Sequence, residues 1–341
     1  MIKKNLRKIK KISSELDNNI FSYTLLTQEM ILLFLKMEKV LQSDIKEPKK
    51  EINYYLENVF DRLSNVKNMK DFQLNQKVEI QNFKKEKNHQ KLFQDLWIRY
   101  NDKQFIEDRF KYYIKRLKKN NIIKFFKDKN CIDFGCGHGQ FLMALKKLGA
   151  KKCVGIDFGE KNILFANRMR KTLRFNKNKV KFIKGSVYRA PFKEKTFDFA
   201  VQNGVFHHLD NENKAYKEVH RVLKKGGKFW VFTDGSGGIR GIILDFIQQN
   251  LQRIDDKFIL NVIRSLKLTA NKTYMLSDFL NAKYRRTSRN KIIKKLKKIG
   301  FKNFKPMQGT YKTDYDKFHS KEKNFKLKFG EGHIRFLCEK K

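Results

Sequence analysis

Residues 133–139 read Asp-Phe-Gly-Cys-Gly-His-Gly, which joins a carboxylate to three glycines at alternate positions. Glycine lets the backbone turn tightly and approach a ligand closely, and a helix that begins directly afterwards offers unpaired N–H groups and the positive end of its dipole. A dinucleotide-binding fingerprint spaces its glycines as G-x-G-x-x-G. The different spacing here argues against a dehydrogenase and favours another ligand with a carboxylate or phosphate.

A second acid, Asp157, ends the next apolar segment, Cys153 to Asp157. An ionised carboxylate at this point accepts hydrogen bonds from both hydroxyls of a ribose, and each such bond contributes about 1.5 to 3 kcal/mol. The alternative is a helix N-cap. Because the acid follows a strand in register with the glycine turn, we expect an adenosine ligand at Asp157.

Two adjacent histidines, His207 and His208, follow another apolar segment. A neutral imidazole can take the proton of a hydroxyl nucleophile, so both are candidate general bases. We favour His207 because it comes first after the strand, nearer the edge where ligands collect in open α/β sheets. A packing role is the alternative, and we expect it for at least one of the two. No nearby carboxylate or cysteine pattern completes a metal site, so we predict none.

Short apolar runs that alternate with amphipathic helices position these residues and predict βαβ units. The result is an α/β fold with a Rossmann-like, doubly wound, mostly parallel sheet of seven strands. The last two strands form an antiparallel hairpin. The expected strands are 130–134, 153–157, 180–184, 197–202, 228–233, about 304–309 and 333–339, and two of the helices are 140–148 and 289–299.

The chain divides into two unequal parts. Residues 1–120 lack glycine and carry apolar residues at helical intervals, which predicts a helical N-terminal region with a lid or interaction role. Trp97 and Tyr100, near its end, are candidate lid residues. Residues 121–341 form the sheet domain, with a glycine hinge at 235–238 and a helical cap insert over about 235–288.

The formal net charge of +43 invites a nucleic-acid interpretation. The lysines are spread along the chain together with many Asn, Ile and Phe residues, a bias typical of AT-rich coding sequence, so specific nucleic-acid recognition is not favoured. An anionic membrane surface is a further candidate partner. Four cysteines without C-x-x-C spacing, no export signal and no apolar run of bilayer length predict a soluble cytoplasmic protein.

The blocks at 131–139, 154–157, 190–198, 203–209 and 218–227 resemble, in order, those of the class I S-adenosylmethionine-dependent methyltransferases, particularly methylases of quinones, sugars and other small metabolites. The resemblance covers about residues 130–233. It implies that the glycine loop holds the methionine part of the cofactor, Asp157 the ribose, and the segment after the third strand the adenine. That segment reads Gly-Ser-Val at 185–187, where the family usually has an acid after the glycine, so Ser186 would bind the adenine more weakly.

The candidate cofactor-binding residues are therefore those of the glycine loop and of the ends of the second, third and fourth strands. They are Asp133, Gly135, Cys136, Gly137, Gly139, Asp157, Phe158, Ser186, Val187, Gln202 and Asn203.

The leading hypothesis is an S-adenosylmethionine-dependent methyltransferase that acts on a small molecule or glycan. RNA methylation is the alternative enzyme function, although residues 202–205 read Gln-Asn-Gly-Val instead of the N-P-P-Y type block of exocyclic-amine methylases. A module that binds the cofactor without turnover is a third hypothesis. The sequence does not indicate the acceptor, the pathway or the oligomeric state.

Overall fold

One sheet organises the computed structural model, which describes residues 1–68, 101–252, 254–268, 270–281, 284–311, 314–317, 320, 322 and 324–341. Within these residues the sheet has seven strands. The strands are β1 (Asn130–Phe134), β2 (Lys152–Asp157), β3 (Val180–Lys184), β4 (Phe197–Asn203), β5 (Leu223–Asp234), β6 (Phe301–Pro306) and β7 (His333–Lys340).

The strand order is β3-β2-β1-β4-β5-β7-β6, and the first five strands are parallel. β7 runs antiparallel to both β5 and β6. The predicted α/β fold, with its seven-stranded, mostly parallel sheet and its terminal antiparallel hairpin, is confirmed. The order reverses between β1 and β4, and in doubly wound sheets ligands bind at the carboxyl ends of the strands at such a point.

Helices precede, connect and follow these strands. Those longer than three residues are α1 (Ile2–Ser14), α2 (Ile20–Gln42), α3 (Pro48–Asn68), α4 (Lys111–Lys119), α5 (Gln140–Lys147), α6 (Glu160–Thr172), α7 (Glu212–Val222), α8 (Gly238–Leu251), α9 (Asp256–Ser265), α10 (Ala270–Asn281), α11 (Arg289–Ile299) and α12 (Phe325–Phe329), with a π-helix at Phe105–Phe110.

The sheet unit contains the described residues of 90–236, 284–323 and 331–341. Its core includes Ile132, Phe134 and Phe229 from the strands and Ile292 and Leu296 from α11, all at most 1% exposed. Strands that are apolar on both faces require helices on both faces, which explains why the strand sequences read as continuous apolar runs.

The helical unit contains the described residues of 1–89, 237–283 and 324–330. The rings of Phe34 on α2 and Phe279 on α10 stack with centroids 5.5 Å apart. The guanidinium Nε of Arg240 on α8 donates to the buried Glu38 carboxylate on α2 at 2.9 Å. The N-terminal helices and the cap helices therefore share one core.

These units divide the chain differently from the predicted segments 1–120 and 121–341. The residues of α4 belong to the sheet unit, and the predicted cap insert is part of the helical unit. The difference arises because helical periodicity identifies a buried face without identifying the partner that covers it.

The predicted glycine hinge at 235–238 is closely packed within each unit. In the sheet unit, a Cβ on Gly235 would lie 2.2 Å from the carbonyl oxygen of Gly332, and in the helical unit a Cβ on Gly238 would lie 2.3 Å from the amide nitrogen of Gly330. These glycines are needed because two backbone segments approach each other closely.

One described helix, α2, is long and apolar enough to cross a membrane by length and composition. Half of its most apolar window is buried inside the protein. The predicted absence of a transmembrane segment stays a prediction.

Candidate cofactor and active site

The glycine turn after β1 uses its three glycines for different reasons. Gly135, Gly137 and Gly139 all have positive φ, at 73°, 51° and 75°. A Cβ on Gly135 would lie 2.6 Å from Val205, and one on Gly139 would lie 2.3 Å from Phe182, so both positions are required by packing. A Cβ on Gly137 would meet no atom within 4 Å. Gly137 is the point at which the turn presents bare backbone to open space.

Asp157, at the end of β2, holds this turn in place. Its Oδ2 accepts the N–H of Gly137 at 2.9 Å, and its Oδ1 accepts the N–H of Gly159 at 2.8 Å and the amide of Asn162 at 3.0 Å. The carboxylate is 5% exposed, and burial raises its pKa although these hydrogen bonds act in the opposite direction. Asp157 thus also orders the loop, a role that the predicted ribose contact did not include.

Asp133 lies near the end of β1 with an unused hydrogen-bonding capacity. Its side chain is 2% exposed, and its Oδ1 has no hydrogen-bond partner among the described residues. Burial, followed by the negative charge of Asp157, raises the pKa of Asp133 to about 8. A buried carboxylate oxygen without a partner costs roughly 1 to 3 kcal/mol or more, so this atom fits a cationic or hydrogen-bond-donating ligand.

The π-helix and α4 pack beside the glycine turn. The ring of Phe105 lies 5.5 Å from that of Phe165 and 6.4 Å from that of His138, which itself stacks on Phe165 at 4.2 Å. On α4, the Tyr113 hydroxyl accepts a hydrogen bond of 2.9 Å from Asn203. π-helical turns are frequent at functional sites.

Tyr113, which contacts the candidate cofactor residue Asn203, is a further candidate that the sequence analysis missed. Burial raises its pKa to about 12, and the nearby Asp133 charge adds to this effect. The phenol therefore keeps its proton and can donate it to a ligand. The predicted lid residues Trp97 and Tyr100 lie outside the described residues. The only signal for Tyr113 was its place on an amphipathic helix shortly before β1.

The two candidate bases contact each other after β4. The Nε2 atoms of His207 and His208 are 2.9 Å apart, and the two side chains are 2% and 4% exposed. The Nδ1 of His207 lies 3.2 Å from the Thr233 hydroxyl and accepts the N–H of Asp234 at 3.4 Å. The proton of a neutral His207 is consequently on Nε2 and points at His208.

A further segment, residues 284–285, fixes the histidine pair. The Tyr284 ring stacks on His207 with centroids 4.6 Å apart and meets His208 edge-on at 4.5 Å. The N–H of Arg285 donates to the carbonyl oxygen of His207 at 2.9 Å. The sequence analysis missed Tyr284 because it comes more than seventy positions after the histidines, with no local pattern of its own.

The buried carboxylate of Asp234, at the end of β5, lies behind the pair. It is 3.4 Å from Nε of Arg286 and 3.5 Å from Nε2 of His333. Among the described residues, no group of three or more His, Cys, Asp or Glu side chains is arranged to hold a metal ion. The cluster provides hydrogen bonding and charge instead.

Comparison with known proteins shows the family of the chain. A family model described as a methyltransferase domain matches residues 132–231. An uncharacterized protein of Methanocaldococcus jannaschii is 30% identical over 201 residues, which are 59% of this chain and 77% of that protein. The chain belongs to the class I S-adenosylmethionine-dependent methyltransferases.

Two other relatives of this methyltransferase have names that refer to different substrates. The mitochondrial ubiquinone biosynthesis O-methyltransferase of Dictyostelium discoideum is 29% identical over 38% of this chain and 42% of its own length. The tRNA U34 carboxymethyltransferase of Campylobacter hominis is 31% identical over 44% of this chain and 52% of its own length. The match thus spans about half or less of each of these two relatives.

S-adenosylmethionine is the cofactor that the family implies, and the residues present fit it. Gly137, with its open backbone, lies in the turn that directly follows β1, and Asp133, whose Oδ1 has no partner among the described residues, lies near the end of β1. Together they suit a ligand that is both cationic and closely held. Cys136 is 4% exposed, and burial raises the pKa of its thiol well above the usual value, so it contributes as a small apolar group.

The remaining candidate cofactor residues occupy the ends of β2, β3 and β4. Phe158 and Val187 are half-buried, and Ser186 is exposed. The Ser186 hydroxyl accepts the N–H of Tyr188 at 3.1 Å. Their roles toward the cofactor stay predictions.

The side chains of Gln202 and Asn203 form hydrogen bonds within the protein. The Gln202 amide donates to the carbonyl of Phe232 at 2.8 Å and accepts the N–H groups of Val205 and Phe206 at 3.2 and 3.3 Å. Gln202 is fully buried, so its observed contacts shape the loop that carries His207. Asn203 joins Tyr113 to the indole N–H of Trp230, which donates to it at 3.2 Å.

Proposed function

We propose that this methyltransferase transfers a methyl group from S-adenosylmethionine to a small-molecule or glycan acceptor. One observation carries the proposal: the buried, unpartnered Oδ1 of Asp133 and the buried histidine pair follow β1 and β4, the neighbouring strands between which the strand order reverses. That edge is where doubly wound folds bind their ligands. A charge-bearing cofactor and a proton-yielding acceptor would meet there.

When bound, S-adenosylmethionine supplies a methyl group that its sulfonium has already activated. The task of the protein is then positioning, which can supply several kcal/mol of the barrier. Asp133 and the backbone at Gly137 would hold the charged methionine part, and Asp157 would share its carboxylate between the loop and the ribose. Tyr113, held by Asn203, would donate a further hydrogen bond.

In this proposal, the histidine pair removes the proton from a hydroxyl acceptor. With the His207 proton on Nε2, the lone pair of His208 Nε2 accepts it. An acceptor hydroxyl that enters between the rings would replace this contact, donate its proton to the freed lone pair of His208 and leave His207 as a hydrogen-bond donor. In this proposal His208 acts as the base and His207 orients the acceptor, which reverses the preference expected from chain order.

The small size proposed for the acceptor follows from burial. Side chains that are 2% and 4% exposed are reachable by a compact molecule or by the end of a chain. The Dictyostelium discoideum relative is named as an O-methyltransferase of ubiquinone biosynthesis, which is compatible with a small oxygen acceptor.

RNA methylation is the second candidate function. The net charge of +43 and the name of the Campylobacter hominis relative favour it. The enclosed histidine pair and the Gln-Asn-Gly-Val reading at 202–205 favour the small acceptor. A cofactor-binding module without turnover is the third candidate, and the exposed Ser186 at the proposed adenine position is its one supporting observation.

One assay separates the three. The protein is incubated with cofactor labelled in its methyl group and with either a small-metabolite extract or total RNA, and S-adenosylhomocysteine and labelled products are then measured. With the extract, we expect S-adenosylhomocysteine and a labelled small molecule to form. With the RNA, we expect no labelled nucleotide after digestion. A labelled nucleotide would establish the second candidate, and tight cofactor binding without product in either arm would establish the third.

We also propose a cytoplasmic location. All four cysteines are unpaired and buried, which suits a reducing compartment.

A further inference from the structure

The outer face of α11 carries four exposed lysines. Ile292 and Leu296 are buried in the core of the sheet unit, which fixes the orientation of the helix. The exposed lysines are Lys291, Lys294, Lys297 and Lys298, and none of them has an ion-pair partner among the described residues. Lys295, on the same helix, does pair with Glu212 of α7.

An open groove of about 500 Å³ runs along this face. Among the described residues its lining comes from α11 alone, with three ammonium groups, one amide and no carboxylate: Asn290, Ile293, Lys294, Lys297 and Lys298. The neighbouring helix α7 also carries exposed lysines, Lys214 and Lys217, which are not part of this lining. We call the four unpaired lysines together with this groove the α11 basic groove.

Repulsion between these lysines destabilises α11 in the protein without a bound partner. Like charges three or four residues apart on a helix destabilise it, and α11 has no acidic residue to offset them. Lys291 and Lys298 are seven positions apart, or roughly 10 Å along the helix axis. A row of anionic groups with similar extent would neutralise them.

We propose that the α11 basic groove binds the phosphate backbone of single-stranded RNA. A line of phosphates can follow a groove, and lysine contacts to phosphate bind without reading sequence. A bilayer is the poorer partner because an interfacial helix inserts its apolar face, whereas the apolar face of α11 is buried against the sheet. The inference does not depend on the methyl acceptor, since the groove would hold RNA as a docking partner whether or not RNA is methylated.

A pair of charge-matched variants tests the groove against simple adhesion to a basic protein. One variant combines Lys291→Gln, Lys294→Gln, Lys297→Gln and Lys298→Gln. The control combines Lys3→Gln, Lys4→Gln, Lys10→Gln and Lys11→Gln on the exposed face of α1, which removes the same charge from another lysine-rich helix. Both keep helix-compatible side chains, and circular dichroism together with cofactor affinity verifies that each is folded.

The readout is the affinity for a fluorescent uridine oligonucleotide over a range of salt concentrations. We expect the α11 variant to bind at least roughly tenfold more weakly than the native protein, with the slope of log affinity against log salt smaller by about 3, since each phosphate contact on a single strand contributes about 0.7. The α1 control should lose less than about threefold. Equal losses in the two variants would overturn the proposal in favour of net charge alone. A variant that keeps RNA affinity but no longer binds phosphatidylserine–phosphatidylcholine vesicles would overturn it in favour of a membrane surface.

Discussion

The Nε2 atoms of His207 and His208 lie 2.9 Å apart, so in a neutral pair a single proton lies between these two nitrogens. Because the N–H of Asp234 occupies Nδ1 of His207, that proton belongs to His207 and the lone pair belongs to His208. The two imidazoles therefore act as a unit, and the effect of replacing one depends on the other.

We expect His208→Ala to lower kcat by roughly 10² to 10⁴ and to remove the acidic limb of the pH–rate profile, because the accepting lone pair is lost. His207→Ala should lower kcat less while leaving cofactor affinity nearly unchanged. The double variant should be no slower than His208→Ala, since residues that act as a unit are not additive. A His208→Ala enzyme with full turnover and an unaltered pH profile would make the pair a packing element and leave catalysis to proximity.

Asp157→Ala should weaken cofactor binding by at least roughly tenfold, because it removes the acceptor proposed for the ribose and releases the Gly137 N–H. Asp198→Ala is the matched control. Asp198 also accepts a backbone N–H, from Asn130, and pairs with Lys224, but it lies at the amino end of β4. Titration calorimetry with S-adenosylhomocysteine should show a loss for Asp157→Ala alone. Equal affinities in two folded variants would remove Asp157 from the site.

Gly137→Ala should abolish or strongly weaken cofactor binding and leave the protein folded, since the added Cβ enters open space. The positive φ of 51° costs the variant about 1 to 2 kcal/mol of stability. Gly226→Ala carries the same kind of strain, at φ 74° with nothing within 4 Å, and lies at the amino end of β5. It should lose similar stability and no cofactor affinity. Normal binding by Gly137→Ala would exclude the glycine turn as the cofactor cradle.

Asp133 makes the stability of the ligand-free protein depend on pH. Its folded pKa of about 8 lies above the usual value of about 3.9, so the folded protein holds a proton that the unfolded chain releases. The free energy of unfolding should then fall as the pH rises from about 4 to about 8, by at most about 1.4 kcal/mol per pH unit. In Asp133→Asn this contribution should disappear. Urea unfolding of both proteins across that pH range measures it, and parallel curves would contradict the assignment.

The strands and the glycine turn were predictable because their signals are local. Buried parallel strands read as short apolar runs, and the three glycines fall where the turn needs positive φ. The same locality allowed α11 to be bounded correctly, since Ser288 caps its first turn and Gly300 ends it at φ 112°.

The rest of the site depends on contacts between residues that are distant in sequence. Tyr113 meets Asn203, Tyr284 stacks on His207, and neither pairing leaves a spacing that a single sequence displays. The two roles of Asp157 could not be distinguished from the sequence for another reason. A carboxylate that orders a loop and one that binds a ribose have the same identity and position, and only the hydrogen bonds distinguish them.

The order of synthesis on the ribosome determines when the shared core of the helical unit can form. α1 to α3 emerge first, but the α8 and α10 side chains that cover Phe34 and Glu38 of α2 are not made until residue 279 has been added. At typical elongation rates that interval is on the order of 10 s or more. During it, the apolar positions of α2 lack the neighbours that bury them in the finished protein. The nascent N-terminus is therefore expected to be a client of ribosome-associated chaperones, and residues 1–68 expressed alone should aggregate.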